Sequence, residues 1–183
     1  LFICAFCSAQ TKTDKALQQK YRELLHAHNT QVDSVYASFF YERGNISLDH
    51  FEYESAIADY NKAIQKDPKN YKIYHNRGMA KMERGLTKEA ISDFDRTIEL
   101  MPLSTYAYTK RGTCRITLGD YAGAKQDSST AIGIDSNSAV AYYNRGVSNC
   151  MLGSRDNGCY DLNKAYDLGD EKSLDAIKKY CSK

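Results

Sequence analysis

Aromatic side chains stand at Phe40, Tyr74, Tyr108 and Tyr142, and a glycine follows each by four residues, at 44, 78, 112 and 146. The step is 34 residues every time, and other positions keep it. Numbering each unit so that this glycine is position 8 divides the chain into 37–70, 71–104, 105–138 and 139–172. Position 20 is then always small (Ala56, Ala90, Ala124, Gly158), and position 27 nearly so (Ala63, Thr97, Ala131, Ala165). Small residues at these places let two helix backbones approach, while the aromatic ring fills the space between them. Asn70, Ser104 and Ser138 precede apolar-periodic runs and are placed to cap first helices. Gly85, Gly119 and Gly153 come one helix length later, where a left-handed residue ends a helix; Asp120 and Ser154 follow as caps for second helices. Each unit is therefore predicted as a helix, a tight turn and a helix.

This pattern, with Pro68 and Pro102 near the unit ends, resembles the tetratricopeptide repeat (TPR) over residues 37–172. The resemblance implies an all-α, right-handed α-solenoid of four helix-turn-helix units. Some positions depart from it: Phe51 replaces the turn glycine in the first unit, and Ser47 stands where an aromatic is common. Lys125 and Ser128 make the second helix of the third unit polar, which predicts looser packing there, while Ser136 and Asp170 occupy proline positions. The flanks read as caps, because a stack of repeats needs ends that shield its apolar edges. Residues 10–36 form the N-terminal cap, with Leu17, Tyr21, Leu24, Leu25 and His28 on one helical face. Residues 173–183 form the C-terminal one, with Leu174, Ile177 and Tyr180.

Arginine precedes every position-8 glycine, at Arg43, Arg77, Arg111 and Arg145, where the TPR pattern often carries leucine. Sixteen residues after each stands an aspartate: Asp59, Asp93, Asp127 and Asp161. Opposite charges that keep one offset through four units predict one ion pair per unit, guanidinium against carboxylate, bracing the two helices. The competing reading is an arginine ladder that grips an acidic ligand, which the matched aspartates would neutralise.

In TPR folds the first helix of each unit lines a concave groove. Carried onto this chain, the resemblance gives a partner-binding surface that includes Tyr41, Asn45, Lys72, His75, Asn76, Met79, Tyr106, Thr109, Lys110, Tyr143 and Asn144. Amphipathic rings with scattered amides suit a peptide or helix of another protein. Some TPR co-chaperones hold a C-terminal carboxylate in a clamp of lysines and asparagines. Asn45, Asn76 and Lys110 match that clamp, but Tyr41 and Tyr106 stand where two of its lysines should be. A cytosolic adaptor with a degenerate clamp is the alternative to a scaffold in a bacterial envelope.

Composition narrows the field further. Twenty-five basic against twenty-three acidic side chains give no electrostatic footprint for nucleic acid or an anionic membrane. No glycine-rich phosphate loop or nucleophile motif appears, so the reading is non-catalytic, with no cofactor and no small-molecule substrate. His26 and His28 point to different faces of a helix and make a poor metal pair, and His50 and His75 lie in separate units. The opening "LFICAFCSAQ" is apolar through Cys7 and then small and polar, as at the end of a secretory signal cut before Gln10. A clipped membrane anchor, the one route to membrane contact, or a plain apolar end are the other readings of residues 1–9. Beyond this leader, Cys114, Cys150, Cys159 and Cys181 allow three full pairings. The closing segment from Gly158 to Cys181 resembles that of many exported TPR proteins of Gram-negative bacteria, and this resemblance implies a Cys159 to Cys181 bond and export to the periplasm or envelope. Cys114 and Cys150 are then small buried hydrophobes; without a leader, all four would be free thiols.

Overall fold

The computed structural model describes residues 12–182, so the expected leader over residues 1–9 and the cleavage point before Gln10 lie outside the described residues. The described chain is all-α, with nine helices and no strand among the described residues: α1 (Lys12–Asp49), α2 (Tyr53–Lys66), α3 (Tyr71–Glu83), α4 (Thr87–Leu100), α5 (Thr105–Thr117), α6 (Tyr121–Ile134), α7 (Ala139–Met151), α8 (Arg155–Asp167) and α9 (Ser173–Cys181). None of these helices is long and apolar enough to cross a membrane.

Local chemistry sets the boundaries. Asn70, Ser104 and Asp120 accept a backbone N–H of the helix they begin, at 3.2, 3.3 and 2.9 Å, whereas Ser138 and Ser154 occupy the cap position without a side-chain bond. Gly85, Gly119 and Gly153 close α3, α5 and α7 with φ between 79 and 82°. In the first unit the same left-handed place falls to Phe51, at φ 63°. Helix α1 differs from the sequence expectation of a separate cap over 10–36. It runs through residues 36 and 37 without a break, because no glycine or proline interrupts the chain from Lys12 to Arg43. The side chains of Leu17, Tyr21, Leu24, Leu25 and His28 lie outside the described residues.

Packing follows from one pairing repeated along the stack. A Cβ added at Gly44, Gly78 or Gly146 would come within 2.7 to 2.9 Å of Tyr60, Phe94 or Leu162, the large fully buried side chain sixteen residues on. Glycine there lets the second helix press its bulk onto the first helix's backbone. The third unit has Ser128 instead, and the space above Gly112 is free out to 3.5 Å. Apolar clusters accordingly form around Tyr60 and Ile73, around Phe94 and Cys114, and around Val147 and Leu162, while the joint between the third and fourth units is polar. At the C-terminal end, Ala176, Ile177 and Tyr180 of α9 close the last cluster, but Leu174 stays exposed.

Successive odd-numbered helices touch (α1 with α3, α3 with α5, α5 with α7, α7 with α9), whereas among the described residues no even-numbered helix reaches the next even-numbered one. A stack whose first helices are drawn together and whose second helices are splayed is curved, with the first helices on its inner side.

Candidate functional site

The periodic charges stand between helices. Arg43 donates from Nε and Nη2 to Asp59, both at 2.6 Å. Arg77 meets Asp93 at 2.9 and 2.5 Å, Arg111 meets Asp127 at 2.9 and 2.5 Å, and Arg145 meets Asp161 at 2.9 and 2.7 Å. All four carboxylates are buried, and each receives the planar fork that only guanidinium offers. The Arg43 hydrogen bonds hold the Asp59 carboxyl below its usual range against the opposing pull of burial. Each guanidinium also lies over the aromatic ring three residues earlier (Phe40, Tyr74, Tyr108, Tyr142), 5.4 to 5.6 Å from its centroid. The position-4 ring thus packs on the arginine as well as between the helices.

Two further elements of this brace escaped the sequence reading. Arg77 Nη1 reaches back to Asn61 at 2.6 Å and Arg111 Nη1 to Asp95 at 2.7 Å, so each ties three helices, including the second helix of the preceding unit. Lys81 and Arg115, both at position 11, add a second cation to Asp93 and Asp127 at 2.7 and 2.9 Å. The fourth unit has Asn149 there, donating at 3.1 Å to Asp161 while its own buried Oδ1 finds no partner.

The inner face is formed by α1, α3, α5 and α7. Its amides are largely engaged with one another. Asn76 donates to Asn45 Oδ1 at 2.8 Å and to the Tyr41 hydroxyl at 3.2 Å, and Tyr60 donates to the same Asn45 oxygen at 2.9 Å. Asn144 donates to the Thr109 carbonyl and to Thr113 Oγ1, both at 3.0 Å. Thr109 and Asn144, counted among the groove residues on sequence grounds, are only 4% and 2% exposed and bond across the unit joint. They hold the stack rather than offer contacts, because Ser128 leaves room for the Asn144 amide beneath Gly112. Tyr143 is half-buried among the residues that close the C-terminal cluster.

What does face outward is concentrated on α3 and α5. Tyr106 is 71% exposed and stands edge-on to His75, ring centroids 6.1 Å apart, with Phe94 behind the imidazole at 5.9 Å. Burial, helped by Lys110, pushes the His75 pKa down, so the ring is neutral at pH 7. Lys72 is exposed and Lys110 half-buried. Between α1 and α3 opens a hollow of about 470 Å³, walled by Leu48, Met79, Asn45, Asn76 and His75 and edged by Asp49 and Glu83.

Chemistry of the other predicted positions is quickly stated. Cys159 and Cys181 form a disulfide with Cα atoms 5.7 Å apart, joining α9 to α8. Cys114 and Cys150 are free; burial pushes the Cys114 thiol up to about 11 and raises that of Cys150. Among the described residues no three His, Cys, Asp or Glu side chains are placed to hold a metal.

Comparison with known proteins agrees with this architecture. Residues 52–85 match the family model described as TPR repeat. No curated protein matches the chain. Among solved structures, YrrB, described as a TPR protein with an unusual peptide-binding site, is 25% identical, with a TM-score of 0.71 over 91% of this chain and 89% of that one. The first TPR of Spaghetti (RPAP3), bound to the HSP90 peptide SRMEEVD, is 28% identical, with a TM-score of 0.64 over 66% of this chain and 96% of that one. MamA 41-end from Desulfovibrio magneticus RS-1, 20% identical with a TM-score of 0.69 over 73% and 75%, shares the fold. The matching repeat and the shared solenoid support reading this chain as a TPR repeat protein, a fold whose typical use is non-enzymatic protein interaction.

Proposed function

We propose that this protein is a non-catalytic interaction module that takes a peptide or helix of a partner protein along its inner face, centred on α3 and α5. The observation that carries the reading is the pair Tyr106 and His75, an exposed phenol propped against a half-buried ring beside an open hollow. A rigid aromatic that costs little entropy to immobilise is the anchor such surfaces use. Peptide binding by YrrB and by the RPAP3 domain supports the same use of the fold.

The RPAP3 likeness favours one alternative, an adaptor for acidic C-terminal peptides. Against it, Tyr41 and Tyr106 replace clamp lysines, and Asn76 spends its amide hydrogens on Asn45 and Tyr41. Export to an oxidising compartment belongs to the proposal, and the Cys159 to Cys181 bond supports it, since disulfides persist in such compartments. A secreted product beginning at Gln10 and two hydrogens lighter than its reduced form is the expected mass.

The groove itself is tested by placing a photo-crosslinking amino acid at Tyr106, on the inner face, and at Tyr160, equally exposed but on the second helix α8. A partner captured from Tyr106 and not from Tyr160 supports the reading. Equal capture at both, or capture from Tyr160 alone, overturns it.

A further inference from the structure

We infer that the hollow between α1 and α3 reads a cationic side chain, lysine or arginine, of the bound polypeptide. This rests on the groove reading above and names the partner chemistry of its amino-terminal end.

The hollow is bounded by two kinds of surface. Leu48 and Met79 supply an apolar wall, and Asp49 and Glu83 supply carboxylates at the rim. Both acids are exposed, and neither makes an ion pair with a described residue. The cations that flank the two acids along α1 and α3 are paired elsewhere: Arg43 with Asp59, Arg77 and Lys81 with Asp93, Arg84 with Glu54. Lys72 stands at the opposite end of α3 from Glu83, eleven residues or about 16 Å along the axis, beyond pairing distance.

Hydrogen bonding points the same way. Asn76 turns its amide hydrogens onto Asn45 and Tyr41, so they are not offered to a guest, while the two rim carboxylates are exposed and only accept. The His75 imidazole in the same wall is neutral and does not offset the acids. An unpaired pair of carboxylates beside apolar carbon is the complement of a long side chain with an aliphatic stem and a charged head. The stem lies along Leu48 and Met79, and the head reaches Asp49 and Glu83. An acidic peptide entering here would meet like charge at the rim, which disfavours it at this end of the groove.

A random peptide display library panned on the full chain tests this. The expected result is enrichment of Lys or Arg at one position of the selected peptides. A selected peptide should then bind the Asp49→Asn/Glu83→Gln variant about tenfold more weakly, with the circular dichroism unchanged. Glu83→Lys should turn the selection toward Asp and Glu. Selected peptides with no basic enrichment, or with affinity unchanged in the double variant, overturn the inference. If those peptides still depend on Tyr106, the groove reading stands and only this inference falls. If the wild-type chain selects nothing, the groove reading fails and this inference with it.

Discussion

The guanidinium of Arg145 meets the buried carboxylate of Asp161 as a two-pronged fork, Nε to Oδ2 at 2.9 Å and Nη2 to Oδ1 at 2.7 Å. Besides Arg145, Asp161 has only the Asn149 amide. Replacing Arg145 by Met should therefore leave a buried charge held by one neutral donor and cost about 3 kcal/mol in urea unfolding. Arg111→Met should cost less, because Arg115 stays 2.9 Å from Asp127. Adding Asp161→Leu to Arg145→Met should recover much of the loss, since an apolar pair no longer carries the desolvation of a lone carboxylate. A double variant no more stable than the single one would refute this account.

The glycine pairing makes a sharper contrast. Gly146→Ala would put a Cβ 2.8 Å from Leu162 and 3.0 Å from backbone of α8, and should cost about 1 to 3 kcal/mol. Gly112→Ala meets nothing closer than 3.5 Å and should stabilise by about 0.5 to 1 kcal/mol through helix propensity alone. Thermal midpoints moving in the same direction for both would contradict the packing described.

Phe51 occupies left-handed backbone with its ring 75% exposed, so little packing offsets the strain. Phe51→Gly should raise stability by about 1 kcal/mol, the approximate cost of that conformation for a side chain with Cβ. A lowered thermal midpoint would show that the edge contact of Phe51 with Tyr53 outweighs it.

Closing a 22-residue separation, the Cys159 to Cys181 bond should contribute about 3 kcal/mol, and Cys159→Ser should first expose the amides of α9 to hydrogen exchange. In the folded protein Cys114 should resist alkylation at pH 7, its thiol being buried and raised to about 11. Rapid labelling of Cys114 without unfolding would disprove its burial.

Acid should weaken the first unit. Asp59 has a folded pKa below its unfolded value of about 3.9, so its contribution is complete above that value and is lost as pH falls through the folded pKa. Between pH 5 and 2 the thermal midpoint of Asp59→Asn should fall less than that of the parent chain. Parallel curves would exclude this linkage.

The repeat was legible because a 34-residue step forces equivalent residues into equivalent places, and the Arg and Asp offsets followed from it. Less was legible wherever an interaction crosses units. The backward bonds to Asn61 and Asp95 join helices whose spacing depends on how units stack, and only two of four units make them. Lys81 and Arg115 at position 11 were a visible signal, hidden by Ser47 and Asn149 in the outer units. Thr109 and Asn144 passed for groove residues because register assigns a face but not whether a neighbouring unit covers it. Continuity of α1 across residue 36 needed only the absence of glycine and proline to be taken at face value.

Unequal joints give this stack a direction of failure. At its amino-terminal step the bracing guanidinium is 49% solvent-open, Ser47 stands where the middle units have a second bonding cation, and a bulky residue sits in a conformation meant for glycine. The far end is covalently shut by Cys159 and Cys181. Unravelling therefore starts beside α1, next to the acid-rimmed hollow, and a guest seated there would lock the molecule at its loosest point.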